Sequence, residues 1–249
     1  MTGRWLTSSE QPALGIWINI PDAFVAEALG TIGFDYACLD MQHGLVDLAS
    51  LRHSLMALQS STAVPIVRVL RNDAGLIGQA LDYGAAGVIV PMVETPEQAA
   101  QAVAACRYAP VGVRSFGPMR YSLRKRADPT AMNNEARCFV MVETAAGLAN
   151  VEKIAAVPGL DGIYIGPSDL AISLGVPVSE FANSSVHRAA LHRIRDAALG
   201  AGIVAGLHCA GVASARVAVA EGFTMITSAT DSNLLRQGAA QTLEGVRAI

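Results

Sequence analysis

The sequence predicts an α/β fold, a single (β/α)8 (TIM) barrel, and three observations carry that expectation. Short apolar runs alternate with Ala/Leu-rich helical stretches from one end of the chain to the other. The runs number eight, which favours a closed barrel over an open doubly wound sheet. No linker or low-complexity segment divides the 249 residues, the usual size of one such barrel, so residues 1–249 read as one domain.

In chain order, strands are expected at Leu14–Ile20, Phe34–Asp40, Val64–Val69, Ala86–Pro91, Arg137–Glu143, Asp161–Gly166, Ile203–Leu207 and Phe223–Ser228. Most are continuous rather than alternating apolar runs, the pattern of parallel strands covered by helices. Helices are expected at Ala23–Leu29, Leu48–Leu58, Ala74–Asp82, Pro96–Cys106, Leu148–Ala156, Val186–Ala198, Val212–Glu221 and Asn233–Arg247. Several strands follow a Gly-containing turn, as at Gly30 to Gly33 and Gly200 to Gly202, the ordinary helix stop. Two connections are long: the irregular, Pro/Gly/Arg-rich Arg107–Ala136, and Ala171–Ser185 after the sixth strand. Long ordered loops usually serve function or an interface.

Composition excludes several function classes. Net charge is −3 and the basic residues are scattered, which is no nucleic-acid footprint. The one dense patch, Arg120 to Arg126, reads as a solvated or subunit-contacting loop. The chain is 52% hydrophobic with mean hydropathy +0.38. Charges or Gly/Pro nevertheless interrupt every apolar run before the ~20 residues of a membrane helix. Met1 to Gln11 lacks the basic-then-apolar order of a signal peptide, so a cytoplasmic location is expected. Cys38, Cys106, Cys138 and Cys209 show no CxxC spacing and read as small buried hydrophobes of a reducing compartment.

Barrel chemistry is built at the C-terminal ends of strands. There the chain places Trp17, the turn from Asp40 through Gln42 and His43 to Gly44, Arg68, Pro91, Glu143, Asp169, His208 and Asp231. Glu143 and Asp169 end adjacent strands, and two converging carboxylates can hold one hard cation such as magnesium, manganese or cobalt. The alternative is that Asp169 caps the helix it precedes. Asp40, three residues before His43, either orients the imidazole and raises its basicity or only caps a turn beside a solvated histidine. Arg68, inside an apolar strand, needs an anion or carbonyl partner, either a substrate or a barrel carboxylate. Gly166-Pro167-Ser168 opens a helix whose first N–H groups suit a carboxylate. His208 either lines the pocket or is a satisfied barrel-end histidine, and the second is the preferred reading.

Together these residues resemble the metal-dependent (class II) pyruvate aldolases of the 4-hydroxy-2-oxo-heptanedioate aldolase (HpcH/HpaI) type. The resemblance runs from Gly15-Ile16-Trp17 to Asp231 through Leu39–Gly44, Pro65–Arg68, Leu81–Ala85, Val90–Val93, Val142-Glu143 and Ile165–Leu170. It implies a divalent metal ion (magnesium, manganese or cobalt) on Glu143 and Asp169. It also implies that Arg68 holds the 2-oxo group and steadies the enolate, with His43 and its partner Asp40 moving protons through a water. The turn of Gly166 and Ser168 would receive the substrate carboxylate, with Trp17 lining the pocket. Asp82 matches an acidic position that reaches a neighbouring subunit's site, and the family is typically homohexameric, a trimer of dimers. Two positions depart from many relatives: Gln42 stands where they have Glu, and Met141 where they have Gln. Both leave the pyruvate half of the site intact and bear on the acceptor aldehyde and on metal affinity.

The lysine count points the same way on independent grounds. There are sixteen arginines but only two lysines, Lys125 and Lys153, and neither ends a strand. A Schiff-base aldolase needs a lysine inside the barrel, so the metal route is expected. The expected reaction is reversible cleavage of a 4-hydroxy-2-oxo acid to pyruvate, or a close 2-oxo acid, and an aldehyde. An enolate-forming decarboxylase or an acyl-CoA or citryl-type lyase is the alternative on this scaffold. A metal-dependent hydrolase or a non-catalytic carboxylate-binding protein is the alternative outside it.

Overall fold

A computed structural model of the chain describes residues 11–123, 126–177 and 179–248. The N-terminal reading, Gln11 apart, and the Arg124–Lys125 part of the basic patch lie outside the described residues. Eight strands pair in parallel in chain order: β1 (Ala13–Ile18), β2 (Tyr36–Asp40), β3 (Val64–Arg68), β4 (Gly87–Val90), β5 (Arg137–Met141), β6 (Gly162–Ile165), β7 (Val204–His208) and β8 (Met225–Thr230). β8 pairs back onto β1, so the sheet closes into the expected barrel.

Alternation along each strand sorts the side chains into two layers. Ile16, Leu39, Val67, Val140, Ile163 and Leu207 belong to the larger cluster between strands and helices. Trp17, Tyr36, Cys38, Ile66, Ile89, Phe139, Met141, Tyr164, Val204 and Met225 fill the barrel itself. The filling is held by hydroxyls: Tyr164 donates to Thr227 Oγ1 at 2.6 Å, and Tyr36 Oη lies 2.9 Å from the same oxygen. Burial pushes both phenols far above their ordinary pKa, so they stay neutral. Glycine makes room for them, because a Cβ on Gly15 would run into the Tyr36 ring and one on Gly206 into the Tyr164 ring. Trp17 stacks on Tyr164 with centroids 5.5 Å apart, so this plug becomes the floor of whatever site lies above it.

The helices are α1 (Ala23–Gly30), α2 (Leu48–Ala57), α3 (Ala74–Asp82), α4 (Pro96–Ala105), α5 (Met119–Ser122), α6 (Pro129–Glu135), α7 (Ala145–Ala149), α8 (Val151–Ala155), α9 (Pro167–Ser173), α10 (Ser185–Gly200), α11 (Val212–Ala220) and α12 (Asp231–Arg247). Asp22, Asp47, Asp73, Thr95 and Thr144 cap the starts of α1, α2, α3, α4 and α7 through backbone N–H groups. Each such cap is worth about 1 kcal/mol. All five stand where a strand hands over to its helix, so they also fix the loops that frame the strand ends.

Several boundaries differ from expectation for local reasons. β1 stops at Ile18, because the Asp231 carboxylate takes the N–H groups of Asn19 and Ile20 at 3.0 and 2.8 Å and turns the chain out of the ladder. The connection 107–136, expected to be irregular, contains α5 and α6, the latter opened by Asp128 and Pro129. The helix expected at Leu148–Ala156 begins at Ala145 and breaks at Asn150 (φ −104°, ψ 6°). Ala171, expected to open a loop, lies within α9. All four cysteines are buried and free. Among the described residues no helix is long and apolar enough to cross a membrane.

Candidate active site

Extending the inward alternation past the ends of the strands brings Trp17, Asp40, Arg68, Glu143, Gly166 and His208 to the mouth of the barrel. Asp40 and Arg68 are directly opposed in the β2–β3 ladder. Their side chains form a buried two-pronged pair, Arg68 Nε to Oδ1 at 2.8 Å and Nη2 to Oδ2 at 2.6 Å. Burial pushes the Asp40 carboxyl upward, but Arg68 outweighs it and holds the group below its ordinary value. The Arg68 guanidinium lies over the Trp17 ring, 5.0 Å from its centroid. Among the described residues Nη1 faces only the Met141 sulfur, at 4.0 Å, a weak acceptor.

This arrangement corrects the expected pairing of Asp40 with the His43 imidazole. Asp40 Oδ1 accepts the backbone N–H groups of Gln42 at 3.0 Å and His43 at 3.4 Å, so it caps the turn and serves Arg68. A buried guanidinium needs its counter-charge more than an exposed imidazole does. The His43 ring is exposed at the rim and makes no hydrogen bond among the described residues.

Glu143 is 1% exposed. Its Oε1 accepts the Met92 N–H at 2.8 Å, from a backbone held in the left-handed region (φ 56°). Its Oε2 is buried and has no hydrogen-bond partner among the described residues. Burial pushes the carboxyl up to about 7; the Met92 bond opposes this, the Asp169 charge adds to it, and Arg68 subtracts. Gly166 leaves the room this carboxylate occupies, since a Cβ there would collide with Oε2 and stand 3.0 Å from Met141 Cε. Asp169 is half-buried in the first turn of α9.

An acceptor-only oxygen without a donor, in low dielectric beside a second carboxylate, suits a cation. Among the described residues no group of three or more His, Cys, Asp or Glu could hold one. A metal here would therefore take Glu143 and Asp169 and fill its other positions from water and substrate, as hard divalent ions do.

Two histidines complete the picture. The His208 ring meets the Trp17 ring edge to face at 5.1 Å. Burial lowers its pKa to about 4, and the Arg68 charge adds to the fall, so it is neutral near pH 7. Sequence reasoning preferred a satisfied barrel-end histidine here, yet neither ring nitrogen has a partner among the described residues. His187, which that reasoning missed, is buried in α10 and its Nε2 lies 2.9 Å from the Pro167 carbonyl. Proline offers only an acceptor, so the imidazole donates and pins the turn that carries Gly166, Ser168 and Asp169. No local pattern marks it, because its partner is twenty residues away.

Ser168 is exposed in the first turn of α9. Asp82 ends α3, at the end of the barrel away from the mouth, and accepts Arg114 Nη2 at 2.6 Å, so within this protomer it does not join the site. Gln42 holds a buried side-chain oxygen without a partner among the described residues. Lys153 is exposed on α8, outside the barrel.

The HpcH/HpaI aldolase/citrate lyase family model matches residues 13–238. A hydroxypyruvate/pyruvate aldolase of Rhizorhabdus wittichii is 39% identical over 241 residues, 96% of each chain. One of Deinococcus radiodurans is 40% identical over 240 residues, 94% of this chain and 84% of that one. A solved HpcH/HpaI aldolase/citrate lyase family protein from Burkholderia cenocepacia shares 31% identity and a TM-score of 0.88 over 97% of both chains.

Proposed function

The chain belongs to the HpcH/HpaI aldolase/citrate lyase family, and from that footing we propose which of its residues carry the chemistry. It is a carbon–carbon lyase that reversibly cleaves a 4-hydroxy-2-oxo acid into pyruvate, or a close 2-oxo acid, and an aldehyde. The observation that supports the site assignment is the partnerless, buried Glu143 Oε2 beside Asp169. These two carboxylates hold the divalent ion on which the family depends, here magnesium, manganese or cobalt. Bound there, such an ion supplies Lewis-acid polarisation of the 2-oxo group.

The remaining work falls to side chains of this chain. Arg68 Nη1, free of Asp40, points its N–H groups at the oxygen where negative charge grows as the C3–C4 bond breaks. Asp40 holds Arg68 in place, and Trp17 closes the floor beneath it. The substrate carboxylate lies at the Gly166–Ser168 turn, where the first N–H groups of α9 lack partners within the helix. His43, exposed on the Asp40-capped turn, takes the C4 hydroxyl proton through a water in cleavage and returns it in synthesis.

The protein assembles as a homohexamer, a trimer of dimers, in the cytoplasm. What supports an assembly is α12, whose main contacts are with β1 and β8 and which exposes Leu234, Leu235, Leu243 and Val246. The helices flanking its place around the barrel, α1 and α11, expose Phe24, Val217 and Val219. In such an assembly Asp82 reaches a neighbour's site, and a dilution-stable monomer in light scattering would overturn that.

The deciding experiment is calorimetric titration of manganese into the chelator-treated protein and into Glu143→Ala and Asp169→Ala. Both variants should fold, bind metal far more weakly and lose turnover. Near-normal activity of either at low metal would show that other residues are the ligands.

A further inference from the structure

We propose that His208 recognises a hydroxyl group on C3 of the 2-oxo acid, so that the preferred nucleophile is a 3-hydroxylated 2-oxo acid rather than pyruvate. The inference rests on the aldolase reading above and deepens it. Position comes first. Along β7, Val204 fills the barrel while Ala205 and Leu207 face the helices, so the alternation turns His208 toward the axis at the mouth. The edge-to-face contact with Trp17 fixes it there.

The trigonal geometry of C2 then selects what His208 meets. On that reading the carboxylate goes to the turn after β6, and the C2 oxygen to Arg68 on β3, beside the cation that Glu143 after β5 would hold. The third bond of C2, to C3, is left the sector of β7, β8 and β1, which His208 and Trp17 line. A neutral imidazole carries one donor and one acceptor nitrogen, and a hydroxyl can satisfy either. Burial keeps this imidazole neutral beside Arg68, and neither nitrogen has a protein partner among the described residues. Pyruvate would set a methyl group against it and leave a desolvated polar group unpaired. Sites built to bond a hydroxyl reject analogues that lack it for this reason.

The test compares kcat/KM for hydroxypyruvate and for pyruvate added to one aldehyde, glycolaldehyde, under saturating manganese. Wild type should prefer hydroxypyruvate, His208→Leu should lower the hydroxypyruvate-to-pyruvate ratio about tenfold, and His208→Asn should restore part of it. A ratio unchanged within about twofold in His208→Leu would overturn the proposal. Calorimetric binding of each 2-oxo acid to the manganese-loaded proteins separates the two claims. If wild type turns over neither acid, the aldolase reading fails. Recognition by His208 still stands if hydroxypyruvate binding weakens selectively in His208→Leu, and falls if both acids bind that variant as they bind wild type.

Discussion

Stripping the divalent ion from this protein should leave Glu143 as a buried carboxyl that costs folding stability as pH rises. Its carboxyl is pushed from the ordinary 4.5 to about 7, with burial the main cause. The folded state therefore holds a proton through a range in which the unfolded chain has released it. A group with a raised folded pKa contributes stability that is fully present below its unfolded value and lost as pH rises through the folded one. The interval between 4.5 and about 7 corresponds to about 3 kcal/mol. For a chain of this length that is roughly 6–12 °C in Tm. Asp40 has the opposite sign, since its lowered pKa costs stability only as pH falls through the acid range. His208, lowered by burial from 6.5 to about 4, opposes Glu143 between those values, because there the unfolded chain binds a histidine proton that the folded one does not. His187, also lowered by burial, acts in the same sense. The contribution of Glu143 is therefore read as the difference between wild type and a variant without the carboxyl.

The assay is thermal unfolding in chelator from pH 5 to 8.5, repeated with manganese and with Glu143→Gln. In chelator, wild type and Glu143→Gln should lie closest near pH 5 and diverge as pH rises, wild type falling roughly 6–12 °C below the variant above pH 7. Manganese, binding the ionised carboxylate in the folded state alone, should offset the loss above pH 7. The Gln variant should gain Tm between pH 5 and about 6.5, as the unfolded chain releases the histidine proton that buried His208 does not bind, and then level off. Parallel profiles for metal-free wild type and Glu143→Gln would refute the account of this carboxylate.

Other consequences are simpler to read. Gly166→Ala should keep the fold, since its φ of −91° suits any residue, yet weaken metal binding roughly 10–100-fold by displacing the Glu143 carboxylate; unchanged affinity in titration would contradict this. Arg68→Ala should slow aldol cleavage and oxaloacetate decarboxylation alike by roughly 10²-fold or more, because both develop charge on the same oxygen. His43→Ala should slow aldol cleavage by about 10²–10⁴-fold while sparing decarboxylation more, and equal damage to both would remove its acid–base role. Borohydride with pyruvate should leave the enzyme active, and covalent trapping on Lys125 or Lys153 would sink the metal route.

The barrel was legible because parallel strands covered by helices are continuous apolar runs, and a charge that ends such a run stands out. Asp40, Arg68 and Glu143 stand out that way, and the fold brings all three to the mouth of the barrel. What the chain hid was partnership. The three-residue spacing of Asp40 and His43 is local and visible, whereas the true partner comes from the next strand, 28 residues on. Aligning β2 and β3 at their charged C-terminal ends would have opposed Asp40 to Arg68, as the ladder does. Gly166 reads in the sequence as a helix-opening turn, and its second duty, leaving space for Glu143, exists only after two strands are neighbours. His208 ends an apolar strand no differently from a satisfied histidine, and only the absence of a partner in three dimensions distinguishes the two.

The charges at the mouth explain why an arginine assigned to the substrate is paired so tightly with an aspartate. Asp40 cancels the charge of Arg68, and His208 is neutral, so without a metal the unbalanced charge is that of Asp169 and of Glu143 once it ionises. An anionic 2-oxo acid gains little net attraction from Arg68 in its ground state. What Arg68 offers is direction: Nε and Nη2 are fixed by Asp40, and Nη1 is left facing a thioether 4.0 Å away that it can abandon at small cost. A donor held in place but poorly satisfied gains most when charge appears on the oxygen before it, which happens as the C3–C4 bond breaks. Stabilisation that grows toward the transition state raises turnover, whereas uniform attraction for the bound acid would not. A glutamine at 141 would offer Nη1 a stronger resting acceptor. Met141→Gln should then lower kcat more than it changes KM, and a pure KM effect would mean that Nη1 already binds the ground state as strongly.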